Sequence, residues 1–530
     1  MATGVVENGP TGVELTWPSG TGRKPGRWKL AQWAAIAGAA MIGIDPVVNS
    51  FVLPTASQAL GMDSGTRALA SSIATLILTA GLLGAGALGD RIGRRRVLVL
   101  GAWITVVGEV VTTIAPTSGV FILGRAIVGI GMAGLFGMAI GMIPAVTKPE
   151  LLPKVYGKMF AFTSIGGLVA VIGSGLFVTL GGWRLGFSLN VVCALFVALF
   201  AMFAIPENKS SEFRPFDVKG IVLAAAALLL FMYGLGQTGA LGWTDPMVLI
   251  CIFGGLALGV LFVWVEKREE HPSFPLKIMK VPAVVAAVVA LVAAGMAQGS
   301  AQANLTELLQ SAGGYSSSVV SLVAIPMVIF GVISALLTGA MVARGVSVRI
   351  VLTMLMATLC VGVLACVFIT PALSLLLAPL ALGFIGFGMQ GTYGTGSTVI
   401  MRNAPSDMLG SVGTVKPVMG QLGYGLGLGA IVPLITMFTR SAEESGQSSQ
   451  EAAYHGFNQG MMVVLVLEVV AMIIVFVVLR AAKQSAAAGA GVPGGDPLLP
   501  PEGGSPERHA ASAWRRPRRS RLVPVRPWST

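Results

Sequence analysis

Apolar runs of about 20 residues recur from Trp28 to Arg480, each broken by a short polar stretch, and runs of that length predict membrane-spanning helices. Fourteen can be read: 30–52, 66–88, 96–116, 119–143, 158–180, 185–205, 218–237, 247–266, 282–303, 318–341, 350–369, 373–396, 416–437 and 458–480. No intervening stretch is long and polar enough to clothe a soluble domain. The predicted fold class is an all-α polytopic membrane protein. Residues 1–27 are polar and lack the short apolar core of a cleavable signal, so the first run is expected to remain as a span.

Composition agrees: 54% of residues are hydrophobic, 11% are charged, and the mean hydropathy is +0.81. A net charge of +12 would suggest nucleic acid, but the positions of the charges give a topological account. Basic residues precede span 1 (Arg23, Lys24, Arg27, Lys29). They then follow each even-numbered span: Arg91 and Arg94–Arg96; Lys148, Lys154 and Lys158; Lys209, Arg214 and Lys219; Lys267, Arg268, Lys277 and Lys280; Arg344 and Arg349; Arg402 and Lys416; Arg480 and Lys483. The opposite loops carry only Arg67, Arg184 and Arg440. The positive-inside rule then places both termini in the cytoplasm. Cys193, Cys251, Cys360 and Cys366 fall inside apolar runs and read as packed thiols. His271, His455 and His509 are scattered, so no metal site is expected.

The expected organisation is a cytoplasmic N-terminal tail (1–29), a six-helix bundle (30–206), a linker with two extra spans (207–280), a second six-helix bundle (281–480) and a basic tail (481–530). The last is rich in Ala, Gly, Pro and Arg, expected to be disordered, and able to touch anionic headgroups. An internal repeat supports the two-bundle division. A shift of 253 residues carries "GALGDRIGRRRVLV" onto "GAMVARGVSVRIVL": Gly86 falls on Gly339, Ala87 on Ala340, Arg91 on Arg344 and Arg96 on Arg349, while Asp90 falls on Ala343. A repeated bundle is the sequence trace of a two-domain transporter.

Several stretches carry a family resemblance. "GALGDRIGRRR" resembles the loop 2–3 signature of the major facilitator superfamily, with Gly86, Leu88, Asp90, Arg91, Gly93, Arg94 and Arg95 at its fixed positions. "IDPVVNSFVLP" (44–54), "GRAIVGIG" (124–131), "GGWRLGFSLN" (181–190), "LGWTDP" (241–246), "FVWVEKREEHPSFPL" (262–276) and "LLQSAGGYSSS" (308–318) resemble its fourteen-span drug:proton antiporters, in order over residues 30–480. Two departures are visible. Val128 stands where the span 4 pattern has glutamine, and "VIGSGLF" (171–177) lacks the proline of the span 5 pattern. The resemblance implies two bundles plus two linker helices. It also implies that Gly86, Asp90, Arg91, Gly93, Arg94 and Arg95 form a gating loop that latches the bundles, with exposed pairs of about 0–1 kcal/mol that break and reform.

Four ionisable residues fall within spans. At ~1.5 Å per residue, Asp45 lies about 22 Å from the inner edge and Arg125 about 9 Å from the outer edge, which in a core about 30 Å thick is a similar depth. Glu109 lies about 18 Å from the inner edge by the same rise, and Glu468 lies near mid-membrane. An isolated charge there costs at least ~2.5–3.5 kcal/mol. Asp45 and Arg125 are therefore expected to share a polar site, with Glu109 and Glu468 as further proton-coupling candidates. A static polar clamp between helices is the competing account. Asn49, Met132, Gln390, Tyr393 and Tyr424 are candidates for the substrate cavity, since aromatic and methionine side chains suit varied apolar ligands.

The expected function is a proton-coupled exporter of drugs, antibiotics or secondary metabolites. The alternative is an importer or facilitator of a nutrient or lipid-like molecule, for which the missing span 5 proline is the main feature. No phosphate-binding loop, nucleophile–base pair or metal motif is evident, so neither an enzyme nor an ATP pump is expected. Nor is any cofactor beyond a proton gradient. The expected partners are an amphipathic or apolar small molecule and membrane lipid, not nucleic acid, around a monomer in the plasma membrane.

Overall fold

The structure is a computed structural model that describes residues 5–8, 14–17, 27–62, 64–207, 218–269, 276–405 and 408–489. Among them, thirteen helices are long and apolar enough to cross a membrane. One is too long for a single crossing. Leu152–Ala204 has 53 residues and breaks at Gly181 (φ −154°, ψ 22°) and Gly182 (φ 73°, ψ −171°). The second conformation is open essentially to glycine alone. The chain folds back there: a Cβ at Gly173 would lie 2.8 Å from the Leu189 side chain, whereas 16 residues of straight helix span about 24 Å. Counting this hairpin as two crossings gives the fourteen read from hydropathy.

The spans are then 1 (Arg27–Ala59), 2 (Ser64–Ile92), 3 (Arg94–Ile114), 4 (Ser118–Met142), 5 and 6 (the two arms of Leu152–Ala204), 7 (Val218–Leu241) and 8 (Pro246–Glu266). Span 9 (Pro282–Gln298) runs on through a π-helical turn, Gly299–Ala303, into Asn304–Ser311. Spans 10 (Ser317–Ala343), 11 (Val348–Val367), 12 (Ser374–Arg402), 13 (Val415–Glu444) and 14 (Ser449–Gly489) follow, with a one-turn helix, Leu409–Gly413, before span 13. Starts are set locally: the Thr117 hydroxyl accepts from the Val120 amide, and Asp245 caps span 8 ahead of Pro246. The exception to the all-helical pattern among the described residues is an antiparallel hairpin, Val5–Asn8 with Glu14–Trp17, in the segment expected to be a plain tail. Helix continues to Gly489, nine residues into the predicted disordered tail; residues 490–530 lie outside the described residues.

Span 1 packs along the 5–6 hairpin, span 3 against spans 4 and 6, and span 2 against span 4. In the second half, spans 10 and 11 pack on 12, span 9 on 12, 13 and 14, and span 14 on 11 and 13. Span 7 leans on both span 2 and span 13, where the Thr238 hydroxyl donates to the Gly429 carbonyl at 2.6 Å. The bundles meet through the repeat. Gly86 of span 2 approaches Gly410 and Ser411, a built Cβ lying 2.9 Å from Ser411 Cα. Gly339 of span 10 approaches Pro153 and Gly157, a Cβ there lying 2.5 Å from the Pro153 carbonyl oxygen. Gly86 to Gly339 and Gly157 to Gly410 are the same step of 253 residues. Two crossings related by the repeat therefore join the bundles, both near the face that carries the basic loops, here called the basic face.

The turn at Gly182 yields a stability test. Gly182→Ala forces a Cβ into a conformation costing about 1–3 kcal/mol, so the variant should melt measurably below wild type in detergent. Gly175→Ala, in helix with nothing within 4 Å of a built Cβ, should melt at or above it. Equal melting of the two variants would contradict the turn.

Candidate functional site

The first bundle holds a buried charge cluster. Arg125 on span 4 meets Asp45 on span 1 through two hydrogen bonds, Nη1 to Oδ1 at 2.6 Å and Nη2 to Oδ2 at 3.0 Å. Glu109 on span 3 stands 3.7 Å from the same Nη1. The Asn190 amide on span 6 donates to Asp45 at 3.1 Å and to Glu109 at 3.3 Å. All four side chains are buried. The planar guanidinium suits this two-point grip on a carboxylate. Glu109 Oε2 has no hydrogen-bond partner among the described residues. The structure thus brings three of the four expected ionisable residues together. The fourth, Glu468, lies elsewhere, buried on span 14 with both carboxyl oxygens unpartnered among the described residues.

A second polar centre lies at the basic face. Asp90 ends span 2 and takes the Arg94 guanidinium at 2.8 and 3.0 Å. It also crosses to the other bundle, accepting from the Gly410 amide (2.8 Å), the Ser411 amide (2.8 Å) and the Ser411 hydroxyl (2.9 Å). One carboxylate therefore caps the one-turn helix of the second bundle. An exposed rim pair was expected; Arg94 is 1% and Asp90 11% exposed, because Leu409–Gly413 lies across them. Gly86 lets that helix approach, and Gly93 turns the chain at φ 112°. Arg95 donates to the Met202 carbonyl at 2.7 Å, and Arg96 pairs with Glu207 at 3.5 Å. Arg91 sits at the end of span 2, beside these contacts.

Between the bundles the cavity candidates divide. Gln390 on span 12 donates to the Ser164 hydroxyl on span 5, linking the bundles. The Tyr393 hydroxyl donates to Gln298 Oε1 at 3.3 Å, and its ring tilts against Phe160 of span 5 at 6.0 Å. Tyr424 is half-buried where span 13 packs on Gly295 and Gly299 of span 9. Asn49 instead ties span 1 to the Ser71 carbonyl of span 2 at 3.3 Å, and Met132 packs in the first-bundle core.

Two residues here escaped the sequence reading. Asn190 closes the stretch "GGWRLGFSLN", which was its only signal. Lys416 was counted as a loop cation. It is 8% exposed, because the chain re-enters the fold at Leu409 and Lys416 falls further inside. Its Nζ lies 3.8 Å from the Tyr393 ring centre, 4.7 Å from Phe160 and 5.4 Å from Phe136.

This arrangement of paired bundles, loop 2–3 latch and intramembrane charges can be set beside known proteins. Residues 35–428 match the family model described as "Major Facilitator Superfamily". The chain belongs to the major facilitator superfamily. Among curated relatives, it is 24% identical over 394 residues to multidrug resistance protein Stp of Mycobacterium tuberculosis, covering 74% of this chain and 73% of the relative. It is 26% identical over 402 residues to quinolone resistance protein NorB of Staphylococcus aureus, covering 73% and 85%. It is 27% identical over 269 residues to puromycin resistance protein pur8 of Streptomyces alboniger, covering 50% and 51%. In fold it is similar to the crystal structure of the human organic anion transporter MFSD10, with a TM-score of 0.56 at 13% identity over 84% of this chain and 100% of that one. This superfamily chain is therefore a multi-span membrane transporter, and its sequence relatives include multidrug and antibiotic resistance proteins.

The latch can be tested alone. Asp90→Asn loses the charge that three donors of the second bundle address, and hydrogen bonds to charged groups are worth about 1.5–3 kcal/mol each. Thr414 is fully buried, and its methyl group lies against Gly86 and Gly137. In a background without the four native cysteines, thiol labelling of Thr414→Cys should rise about fivefold or more when Asp90→Asn is added, equivalent to about 1 kcal/mol. Unchanged labelling would mean that Asp90 does not hold this face closed.

Proposed function

We propose that the protein is a proton-coupled exporter of amphipathic small molecules, drugs or secondary metabolites among them, working by alternating access in the plasma membrane with both termini cytoplasmic. The observation that carries this is the composition of the buried cluster: two carboxyls, Asp45 and Glu109, share one guanidinium, Arg125. With one proton the cluster is neutral; with none it is an uncompensated anion in an apolar bundle. Such an anion is costly, so loading and unloading the proton favours different surroundings, a dry bundle and a wetted one. Glu109 is the carboxyl that exchanges the proton, because Asp45 is spent on the two-point grip while Glu109 keeps one unpartnered oxygen.

The other features fit this reading. With the basic face cytoplasmic, the Asp90 latch and the Gly157–Gly339 crossing close the cytoplasmic side. Releasing them opens a path from the cell interior to the cleft at Gln390 and Tyr393. The resistance proteins Stp, NorB and pur8 among its relatives support this substrate class. The proline-free "VIGSGLF" of span 5 favours the importer reading, and the transport assay decides between them.

The test is transport in proteoliposomes of known orientation, with a quinolone, which carries a carboxylate, as first probe. Wild type should export uphill when a pH gradient is imposed. Asp45→Asn, Arg125→Ala and Glu109→Gln should each reduce uphill export about tenfold or more, a loss of about 1.4 kcal/mol. Substrate counterflow, which needs no net proton movement, should stay within about twofold. Wild-type uphill export in all three variants would move coupling elsewhere, with Glu468 next in line. Failure of all three to accumulate in the membrane would make the cluster a static clamp. Accumulation inside the cell-like compartment by wild type would establish import.

A further inference from the structure

Lys416 is a buried cation with no carboxylate within ion-pair distance among the described residues. The walls around it explain why. Spans 4, 9, 10 and 12 and the span 5 arm contain no aspartate or glutamate at all, and the acids of span 13, Glu443 and Glu444, stand at its far end. Asp90, the acid near this face, is spent on Arg94 and on the Gly410 and Ser411 amides. In place of a counterion Lys416 has three aromatic faces, Phe136 and Phe160 from the first bundle and Tyr393 from the second. Ring faces attract an ammonium, but burial away from water opposes the charge. A negative charge from outside the protein would hold this amine in its charged form.

The position is that of a ligand site. Tyr393 lies nine residues from the basic end of span 12, about 13 Å into the membrane at the helical rise. One turn further in, Gln390 reaches Ser164, and the Tyr393 hydroxyl reaches Gln298. Lys416 therefore sits at the seam between the bundles, below a band of neutral amides and hydroxyls and above the Asp90 latch. Aromatic faces that could have held a cationic drug are occupied by the protein's own cation.

We infer that Lys416 is the recognition point for the acid group of an amphipathic organic carboxylate, whose apolar body lies against Phe136, Phe160 and Tyr393. This rests on the cleft being the transport site and narrows its substrates to anions. The chemistry favours one head group: a carboxylate gains a charge-assisted hydrogen bond with the ammonium, an alcohol gains a neutral one, and a quaternary ammonium meets like charge.

The experiment uses three fluorescent probes with one apolar body: pyrenebutyrate, pyrenebutanol and pyrenebutyl-trimethylammonium. Binding is titrated on the purified full-length protein in neutral detergent, without any pH gradient. Wild type should bind the carboxylate about tenfold or more tightly than either other probe, the ratio expected when a charge-assisted bond replaces a neutral one. Lys416→Gln should reduce the ratio to within about twofold, and Lys416→Arg should keep it. A complementary readout needs no variant: amine-reactive labelling of Lys416, followed by mass spectrometry, should be suppressed by the carboxylate and not by the alcohol. Equal or tighter binding of the ammonium probe to wild type would overturn the assignment. So would an unaltered ratio in Lys416→Gln, absence of carboxylate binding, or labelling that the carboxylate leaves unprotected. Head-group preference without uphill export would leave this assignment standing and remove proton coupling. Uphill export without the preference would do the reverse.

Discussion

A charge placed in hydrocarbon must find an opposite charge, a proton or water, and much of this structure follows from how three helices meet that requirement. Asp45, Glu109 and Arg125 come from spans 1, 3 and 4, and none could stay ionised alone at that depth without a penalty of at least ~2.5–3.5 kcal/mol. Their meeting fixes how these spans rotate about their axes, since a turn of one helix would face its charge to lipid. Asn190 adds span 6 to the same knot. Apolar packing cannot supply this registration, because lipid tails are as apolar as the side chains they would replace. The polar knot specifies the first bundle, and the same atoms are those of the proposed proton exchange.

The second constraint is closeness. Under the proposed alternating access, helices that part and rejoin cannot interlock large side chains, and the crossings between the bundles are made of glycine instead. At Gly86 with Gly410, and at Gly339 with Gly157, backbone meets backbone. The two crossings are related by the internal repeat, yet they are not equivalent. The first carries Asp90, which grips the one-turn helix of the second bundle through three hydrogen bonds while two more from Arg94 hold its carboxylate in place. The second has Ala343 at the matching position, and beside it the Arg402 guanidinium donates to the Pro149 carbonyl at 3.0 Å. One crossing is therefore held by a buried carboxylate that an acceptor loss would weaken, while its counterpart has no acid at the matching position.

Hydropathy made the fold legible because each span had to present some 20 apolar residues to lipid, and a periodic glycine and arginine pattern disclosed the repeat. The Gly181–Gly182 turn also followed from the fourteen-span count, since a gap between 180 and 185 leaves room for little else. The site was legible where residues were costly. Asp45, Glu109 and Arg125 stand out in apolar runs because each needs a partner, and simple depth counting placed two of them level. Asn190 did not stand out: an uncharged amide is tolerated in a span on its own account. Lys416 was misread for a different reason. Residues at a span boundary can be placed only to within a turn or two, and one turn separates a solvated lysine from a buried one. Nothing in the local sequence records the one-turn helix Leu409–Gly413 folding inward over Asp90 and carrying Lys416 with it.

The two halves divide their charge unequally. The first bundle owns the carboxyls of the buried cluster and of the latch, together with the arginines that hold them. Among the described residues, the second meets it with amides, hydroxyls, the Arg402 guanidinium and a buried lysine, Lys416. Contact between these territories is short. Gly43, two residues before Asp45, packs on the backbone of Thr163 in span 5. The adjacent Ser164 accepts from Gln390 of the second bundle, and Gln390 lies one turn from Tyr393 and thus from the lysine cage. A shift of span 1 as the cluster gains or loses a proton would press on the same stretch of span 5 that the second bundle holds. Spatial continuity of this kind does not measure coupling, but it confines the mechanics. One path between the buried cluster and the seam at Gln390 therefore crosses three side-by-side helices, spans 1, 5 and 12, and another runs along span 4 from Arg125 to Phe136 beside Lys416.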